Sequence, residues 1–324
     1  MRAFSSLGLL LISVHIASAQ VFWTVGGASA DRVERGNTDG TGQTVLWNSS
    51  NPAGTNPWGI AFDHGAGQVY WTDSISRQIH KINADGTGLT TLFTHPVAPF
   101  ALAFDPALSR LYFVAGSAIV QSDLAGNAST FVNITPTNTW LALDLVNRYL
   151  YWTESSAGFI RRANIDGTPT IENIVNLSYT ASPQARGLAL PGDGRLYWVD
   201  AFTDFLYRIN LADYTGTPLG VGPSNQLLNL RSVTNGTAAT PNGLASDGER
   251  LYWAEGLAGF RGIYRVDLSG AHAGILFPGD AATSPLGVAA APVPEPAVWL
   301  LGIGGLAAWY RGRVRCRWRR RRRR

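Results

Sequence analysis

The side chains that usually carry chemistry are sparse and scattered in this sequence. Its single cysteine, Cys316, sits inside an arginine-rich tail. The body therefore offers no thiol nucleophile, no cysteine-based zinc site and no disulfide framework. Beyond the first twenty residues the histidines, His64, His80, His95 and His272, fall one to a segment, a distribution that suits surface and turn positions. His-Glu-x-x-His, Gly-x-Ser-x-Gly and Asp-x-Asp-x-Asp-Gly do not occur, and with Lys81 the sole lysine there is no phosphate-binding Gly-x-x-x-x-Gly-Lys loop. What recurs is an acid two residues after an aromatic, at Asp73, Glu154, Asp200 and Glu255, and a base one strand later, at Arg35, Lys81, Arg162, Arg208 and Arg265. One stretch lacks both, having Ala115 and Gln121. Joint loss is expected of partners in an ion pair, so the acids and bases read as structural pairs that knit the fold.

The elements that carry these charges form a repeat. Aromatic pairs begin Phe22-Trp23-Thr24, Tyr70-Trp71-Thr72-Asp73, Tyr112-Phe113-Val114, Tyr151-Trp152-Thr153-Glu154, Tyr197-Trp198-Val199-Asp200 and Tyr252-Trp253-Ala254-Glu255, with spacings of 48, 42, 39, 46 and 55 residues. Each unit has a short apolar strand (Gly59–Asp63, Ala101–Asp105, Leu141–Asp144, Gly187–Leu190, Gly243–Ala245, Gly287–Ala289), the aromatic strand, a strand alternating apolar and basic residues, and a fourth apolar strand after an Asp-Gly turn. Four strands per unit is a propeller blade. The sequence enters on a second-type strand at Val21 and leaves on a first-type strand at Leu286–Ala290, so the last strand must complete the first blade and remove the open edge. The expected fold is all-β: a six-bladed β-propeller of four-stranded blades, closed by its N- and C-terminal strands and flanked by a signal peptide and a C-terminal hydrophobic helix.

These units resemble the YWTD, or LDL-receptor class B, repeat over residues 20–291. The resemblance implies structural roles for Trp23, Tyr70, Trp71, Asp73, Tyr151, Trp152, Glu154, Tyr197, Trp198, Asp200, Tyr252, Trp253 and Glu255, the tryptophans as packing between blades. The sequence departs from that family in lacking Cys-rich neighbouring modules and in having Val25 and Ala115 where the motif has an acid. Pro241-Asn242-Gly243-Leu244 reads as a turn before a strand. It also resembles the segment of gluconolactonase-like and strictosidine-synthase-like propellers that presents an Asn to the central channel. That likeness implies Asn242 as a ligand to a divalent cation such as calcium that polarises a lactone carbonyl. The matching positions of the other units are Trp58, Phe100, Trp140, Arg186 and Leu286.

Composition agrees with a turn-rich β-protein. Gly makes up 36 of 324 residues, charged residues only 15% and hydrophobic residues 45%, which excludes a helical bundle and a disordered chain. Between Gln20 and Ala291 there are 15 basic and 21 acidic side chains, although the whole chain is +4. Ten tail arginines account for the difference. An acidic body excludes a nucleic-acid-binding surface there.

Two targeting segments bracket the propeller. Residues 1–19 have Arg2, an apolar stretch from Leu7 to Ile16 and Ala17-Ser18-Ala19, the pattern of a signal peptide. Residues 292–324 run from Pro294-Glu295-Pro296 through the apolar stretch Ala297–Tyr310 to the arginine cluster. This order resembles the PEP-CTERM sorting signal. The resemblance implies an exosortase-like transpeptidase as partner, an inner-membrane-anchored precursor held through the C-terminal segment, and release to the cell surface or extracellular matrix of a Gram-negative bacterium. The expected function is a non-catalytic binding or structural module without cofactor, its ligand a surface polysaccharide or protein. The alternative is a metal-dependent lactonase-like hydrolase.

Overall fold

The computed structural model describes residues 19–27, 30–135, 138–281 and 284–291, all within the unit Met1–Pro294. The proposed sorting residues Pro294, Glu295 and Pro296, the apolar stretch after them and the leader up to Ser18 lie outside the described residues. Ala19, expected to end the leader, is buried, and its carbonyl accepts from the Thr38 amide at 2.9 Å.

The described residues form six four-stranded antiparallel sheets. Blade two is typical: Pro57–Asp63 innermost, then Gln68–Asp73, Gln78–Asn83 and Thr90–Thr94 outermost. Blade three runs Pro99–Asp105, Arg110–Ala115, Ala118–Asp123 and Ala128–Asn133, and blade four Leu141–Asp144, Tyr149–Glu154, Phe159–Asn164 and Glu172–Asn176. Blade five has Ala185–Ala189, Arg195–Asp200, Phe205–Asn210 and Gln226–Asn229; blade six has Pro241–Ser246, Arg250–Glu255, Gly262–Asp267 and Gly274–Pro278. In blade one the inner strand is Ser284–Ala290, from the far end of the chain, beside Gln20–Gly26, Arg32–Asn37 and Thr44–Asn48. Val21 pairs with Ala290 and Trp23 with Val288, and the Ala291 amide donates to Gln20 O at 2.7 Å. The closure expected from the order of strand types is therefore formed.

Period-two alternation builds the core. Side chains of the aromatic strand point alternately to opposite faces of their sheet, so the motif Tyr faces the next blade and the motif Trp the preceding one. Tyr70 packs with Phe113 of blade three, Tyr151 with Trp198 of blade five, and Tyr252 with Trp23 of blade one. Phe22 meets Trp71, Trp152 packs against Tyr112, and Tyr197 against Trp253. Trp71, Trp152, Trp198 and Trp253 are fully buried. The tryptophans do pack between blades, one cluster to each seam.

The expected acid–base pairing does not form. Asp73 stands opposite Gln78, whereas Lys81 stands opposite Tyr70. At about 3.3 Å per residue, the acid and the base are roughly 10 Å apart, at opposite ends of the blade. The acids instead tie the turn after their own strand to the loop entering the inner strand. Asp73 Oδ1 accepts from the amides of Ile75, Ser76 and Asn56; Asp200 from Phe202, Thr203 and Gln184; Glu255 Oε1 from Leu257 and Thr240. Glu154 accepts from Thr135 N and pairs at 2.8 Å with Arg161, not with the expected Arg162. At the opposite end two of the bases bind carbonyls of the neighbouring blade, Arg208 reaching Leu268 O and Arg265 reaching Thr38 O, while Arg162 pairs with Glu172 and Tyr151 of its own blade. Both charge types hold the assembly, each separately.

Candidate binding site at the channel mouth

The innermost strands enter the centre with a shared pattern whose second residue faces the channel mouth. Trp58, Phe100, Trp140, Arg186, Asn242 and Leu286 occupy this position in blades two, three, four, five, six and one. The third residue sets how closely neighbouring inner strands approach. A methyl on Gly59 would stand 2.4 Å from Phe100 O, on Gly187 2.2 Å from Leu244 N, on Gly243 2.9 Å from Leu286 O and on Gly287 2.4 Å from Trp58 O. These four glycines let backbone meet backbone from blade five through six, one and two to three. At the same position blades three and four carry Ala101 and Leu141, so the inner strand of blade four has looser neighbours on both sides.

The motif threonines reinforce two seams of the tight arc, one to two and two to three, whereas blades five and six have Val199 and Ala254 at this position. Thr24 Oγ1 accepts from Gly287 N at 2.8 Å and donates to Trp58 O of the next blade at 2.6 Å. Thr72 Oγ1 repeats this between Gly59 N, 2.9 Å, and Phe100 O, 2.6 Å. Thr153 in blade four accepts from Trp140 N at 2.9 Å, but its hydroxyl finds Asn138 O of its own blade at 3.5 Å rather than the blade-five strand.

Below the mouth the channel is nearly shut. Gly59, Ile60, Ala101, Leu102, Leu141, Leu188 and Leu244 are among the residues that leave a space of only about 30 Å³. Above it, two cavities flank the inner strand of blade four. One, of about 430 Å³, is lined by Trp58, Phe100, Trp140, Val114, Asn138 and Thr139 among others. Trp58 stands edge-on to Phe100 at 5.5 Å and lies 6.4 Å from Trp140. Thr139 is 6% exposed, and its buried hydroxyl has no hydrogen-bond partner among the described residues. The second cavity, of about 630 Å³, shares Asn138 and continues over residues 155–158 and 177–184, where no side chain carries a charge.

The other half of the mouth is polar and largely paired, although Arg186 Nε is buried without a partner among the described residues. Arg186 Nη1 donates to Asn242 Oδ1 at 2.8 Å and to Pro241 O at 3.1 Å, while Asn242 Nδ2 donates to Pro285 O at 3.2 Å. Burial pulls the Arg186 pKa down, opposed by the carboxylates of Glu255 and Asp200. Asn242, the cation ligand of the alternative lactonase-like reading, thus gives its oxygen to a guanidinium, and the other mouth positions are three aromatics, Arg186 and Leu286. Among the described residues no three His, Cys, Asp or Glu side chains converge as a metal site. This donor set does not fit a divalent cation, and no Lewis-acid step is derived from it. Of the productive mouth residues, Trp58, Phe100 and Trp140 were visible in the repeat alignment. Thr139 and Asn138 gave no signal, because their importance depends on the cavity around them.

Fold and repeat sequence together define a six-bladed β-propeller whose blades carry a recurring aromatic-pair motif. No family model matches the chain. Among curated proteins, low-density lipoprotein receptor-related protein 5 of Mus musculus is 30% identical over 196 residues, covering 54% of this chain and 12% of its own. The chain spans only 9 to 12% of the length of the curated relatives it matches. Among solved structures, a chain of a nidogen/laminin complex superposes with a TM-score of 0.66 at 20% identity, covering 84% of this chain and 98% of that one. A gluconolactonase from Xanthomonas campestris gives 0.53 at 16% identity, over 80% and 89%. Both structural likenesses concern the fold alone.

Proposed function

We propose that this protein is a non-catalytic recognition module that takes its ligand at the channel mouth over blades two, three and four. The observation that carries this reading is the aromatic cavity of Trp58, Phe100 and Trp140 with the unpartnered Thr139 hydroxyl, set above a closed channel. A mostly apolar pocket with few placed polar groups is the usual form of a small-ligand site. The receptor-related relatives support a binding role. Export through the leader, sorting by an exosortase-like transpeptidase at Pro294-Glu295-Pro296, and residence at the cell surface or in the matrix complete the proposal.

The test is a fluorescence and calorimetric titration of the full chain with neutral hexasaccharides and, separately, with uncharged dodecapeptides presenting aromatic and amide side chains. At least one set should bind with a dissociation constant below about 1 mM. The double variant Trp58→Ala, Phe100→Ala should lose that binding while keeping its unfolding cooperativity. Binding that survives the double variant, or no binding by either set, contradicts the site.

A further inference from the structure

We infer that the ligand is a neutral oligosaccharide, seated with one sugar in the aromatic cavity and extending across Asn138 into the cavity between blades four and five. The inference rests on the recognition-module reading and adds the chemical class. A pyranose ring has an apolar C–H face and a rim of hydroxyls that both donate and accept. The first cavity matches both halves of that description: Trp58, Phe100 and Trp140 supply apolar faces, and the buried Thr139 Oγ1 is left needing a polar partner. A buried hydroxyl without a partner is unfavourable, and a sugar hydroxyl in the cavity would relieve it by drawing the Thr139 side chain, whose Oγ1 is itself buried, round towards the space it lines.

The adjoining cavity continues the same chemistry. Asn138 lines both, and Ser178, Thr180, Ser182 and Gln184 line the far side, giving hydroxyl and amide groups that can donate or accept. The two volumes, about 430 and 630 Å³, lie in the range of small-ligand pockets and together leave room for more than one sugar ring. Charge selects against the acidic glycans. Neither cavity is lined by a cation, the one cation at the mouth positions is turned into blade six by Asn242 and Pro241 O, and residues 20–291 carry 21 acidic against 15 basic side chains. An anionic polysaccharide would meet repulsion with no compensating partner, whereas a neutral one would not.

The decisive experiment titrates the full chain with cellohexaose, xylohexaose and mannohexaose, with an oligogalacturonate of equal length as the charged counterpart. At least one neutral hexasaccharide should bind below about 1 mM and shift tryptophan fluorescence, and the oligogalacturonate should bind at least tenfold more weakly. Thr139→Val, near-isosteric and free of the orphaned hydroxyl, should weaken binding at least fivefold without lowering the unfolding midpoint. Asn138→Gly should do the same, since Asn138 has a φ of 42°, which Gly adopts freely. Failure of all three neutral glycans, equal binding of the oligogalacturonate, or full affinity in both variants overturns the inference. If the dodecapeptides alone bind and depend on Trp58 and Phe100, the glycan assignment falls and the recognition module stands; if nothing binds, both fall.

Discussion

The seams of the propeller differ in how they are closed, and the proposed binding site lies beside the loosest of them. From blade five through six, one and two to three, glycine at the third inner-strand position lets the strands touch backbone to backbone, and the Thr24 and Thr72 hydroxyls each bridge two blades. Around blade four, Ala101 and Leu141 replace glycine, and Thr153 bonds only within its own blade. The motif threonine thus bridges two blades from blades one and two and bonds only within its own blade at blade four. Two cavities that share Asn138 flank that same blade, one at the channel mouth and one towards blade five, while a further cavity of about 560 Å³ lies away from the mouth beside blades five and six. The proposed site thus coincides with the break in the repeat: Ala101 and Leu141 stand where the other inner strands have glycine.

The largest expected effect tests the closure on which both regions depend. Deleting residues 286–291 removes most of the strand that pairs with Gln20–Gly26 and leaves an open sheet edge. The full chain with this deletion should lose its cooperative unfolding transition and aggregate; a soluble monomer on sizing would contradict the closure. Next, one carbon should matter more in the tight arc than three carbons at blade four. Gly187→Ala drives a methyl into the backbone of Asn242 and Leu244, atoms that cannot rotate away, and should cost about 3 kcal/mol or more. Leu141→Ala should cost about 2 kcal/mol, the lower end for a core truncation, because its seam is already loose. Thermal or urea unfolding of the pair checks the order, and equal losses would erase the distinction.

A smaller contrast is expected from the threonines. Thr72→Val leaves both Gly59 N and Phe100 O without their partner and should cost about 2 kcal/mol, against about 1 kcal/mol for Thr153→Val, which orphans Trp140 N. The smallest effect is a pH slope. Burial pushes the Glu255 carboxyl above its ordinary value of 4.5, against hydrogen bonds from Leu257 and Thr240 and the Arg186 charge. The folded protein then holds this proton to higher pH than the unfolded chain, so stability contributed here is full below 4.5 and declines as pH rises through the folded value. In Glu255→Gln that decline should vanish from a plot of unfolding midpoint against pH, and an unchanged slope would assign it to another group.

Much of this was legible in the residues. Tyr-Trp recurrence, Asp-Gly turns and the mismatch between first and last strand types require six blades and their closure, because strand periodicity and edge pairing are local physics read along the chain. The charges were misread. Asp73 and Lys81 lie on adjacent strands, yet register places them at opposite ends of the blade, and register is not visible in composition. At the mouth, the alignment exposed Trp58, Phe100, Trp140, Arg186 and Asn242, but the resemblance pointed to Asn242, whose amide proves to be held by Arg186. The signal that could have found the site was the run of glycines broken at Ala101 and Leu141. Thr139 remained invisible, since an unpartnered hydroxyl is a property of three-dimensional surroundings.

The most direct test of a site built on the loosened blade is hydrogen exchange of the full chain with and without the tightest-binding neutral hexasaccharide. Protection is expected in peptides covering residues 138–144 and 177–184, with the inner strands of blades six and one unchanged. Protection centred on Arg186 and Asn242, or on the opposite face of the propeller, would contradict it.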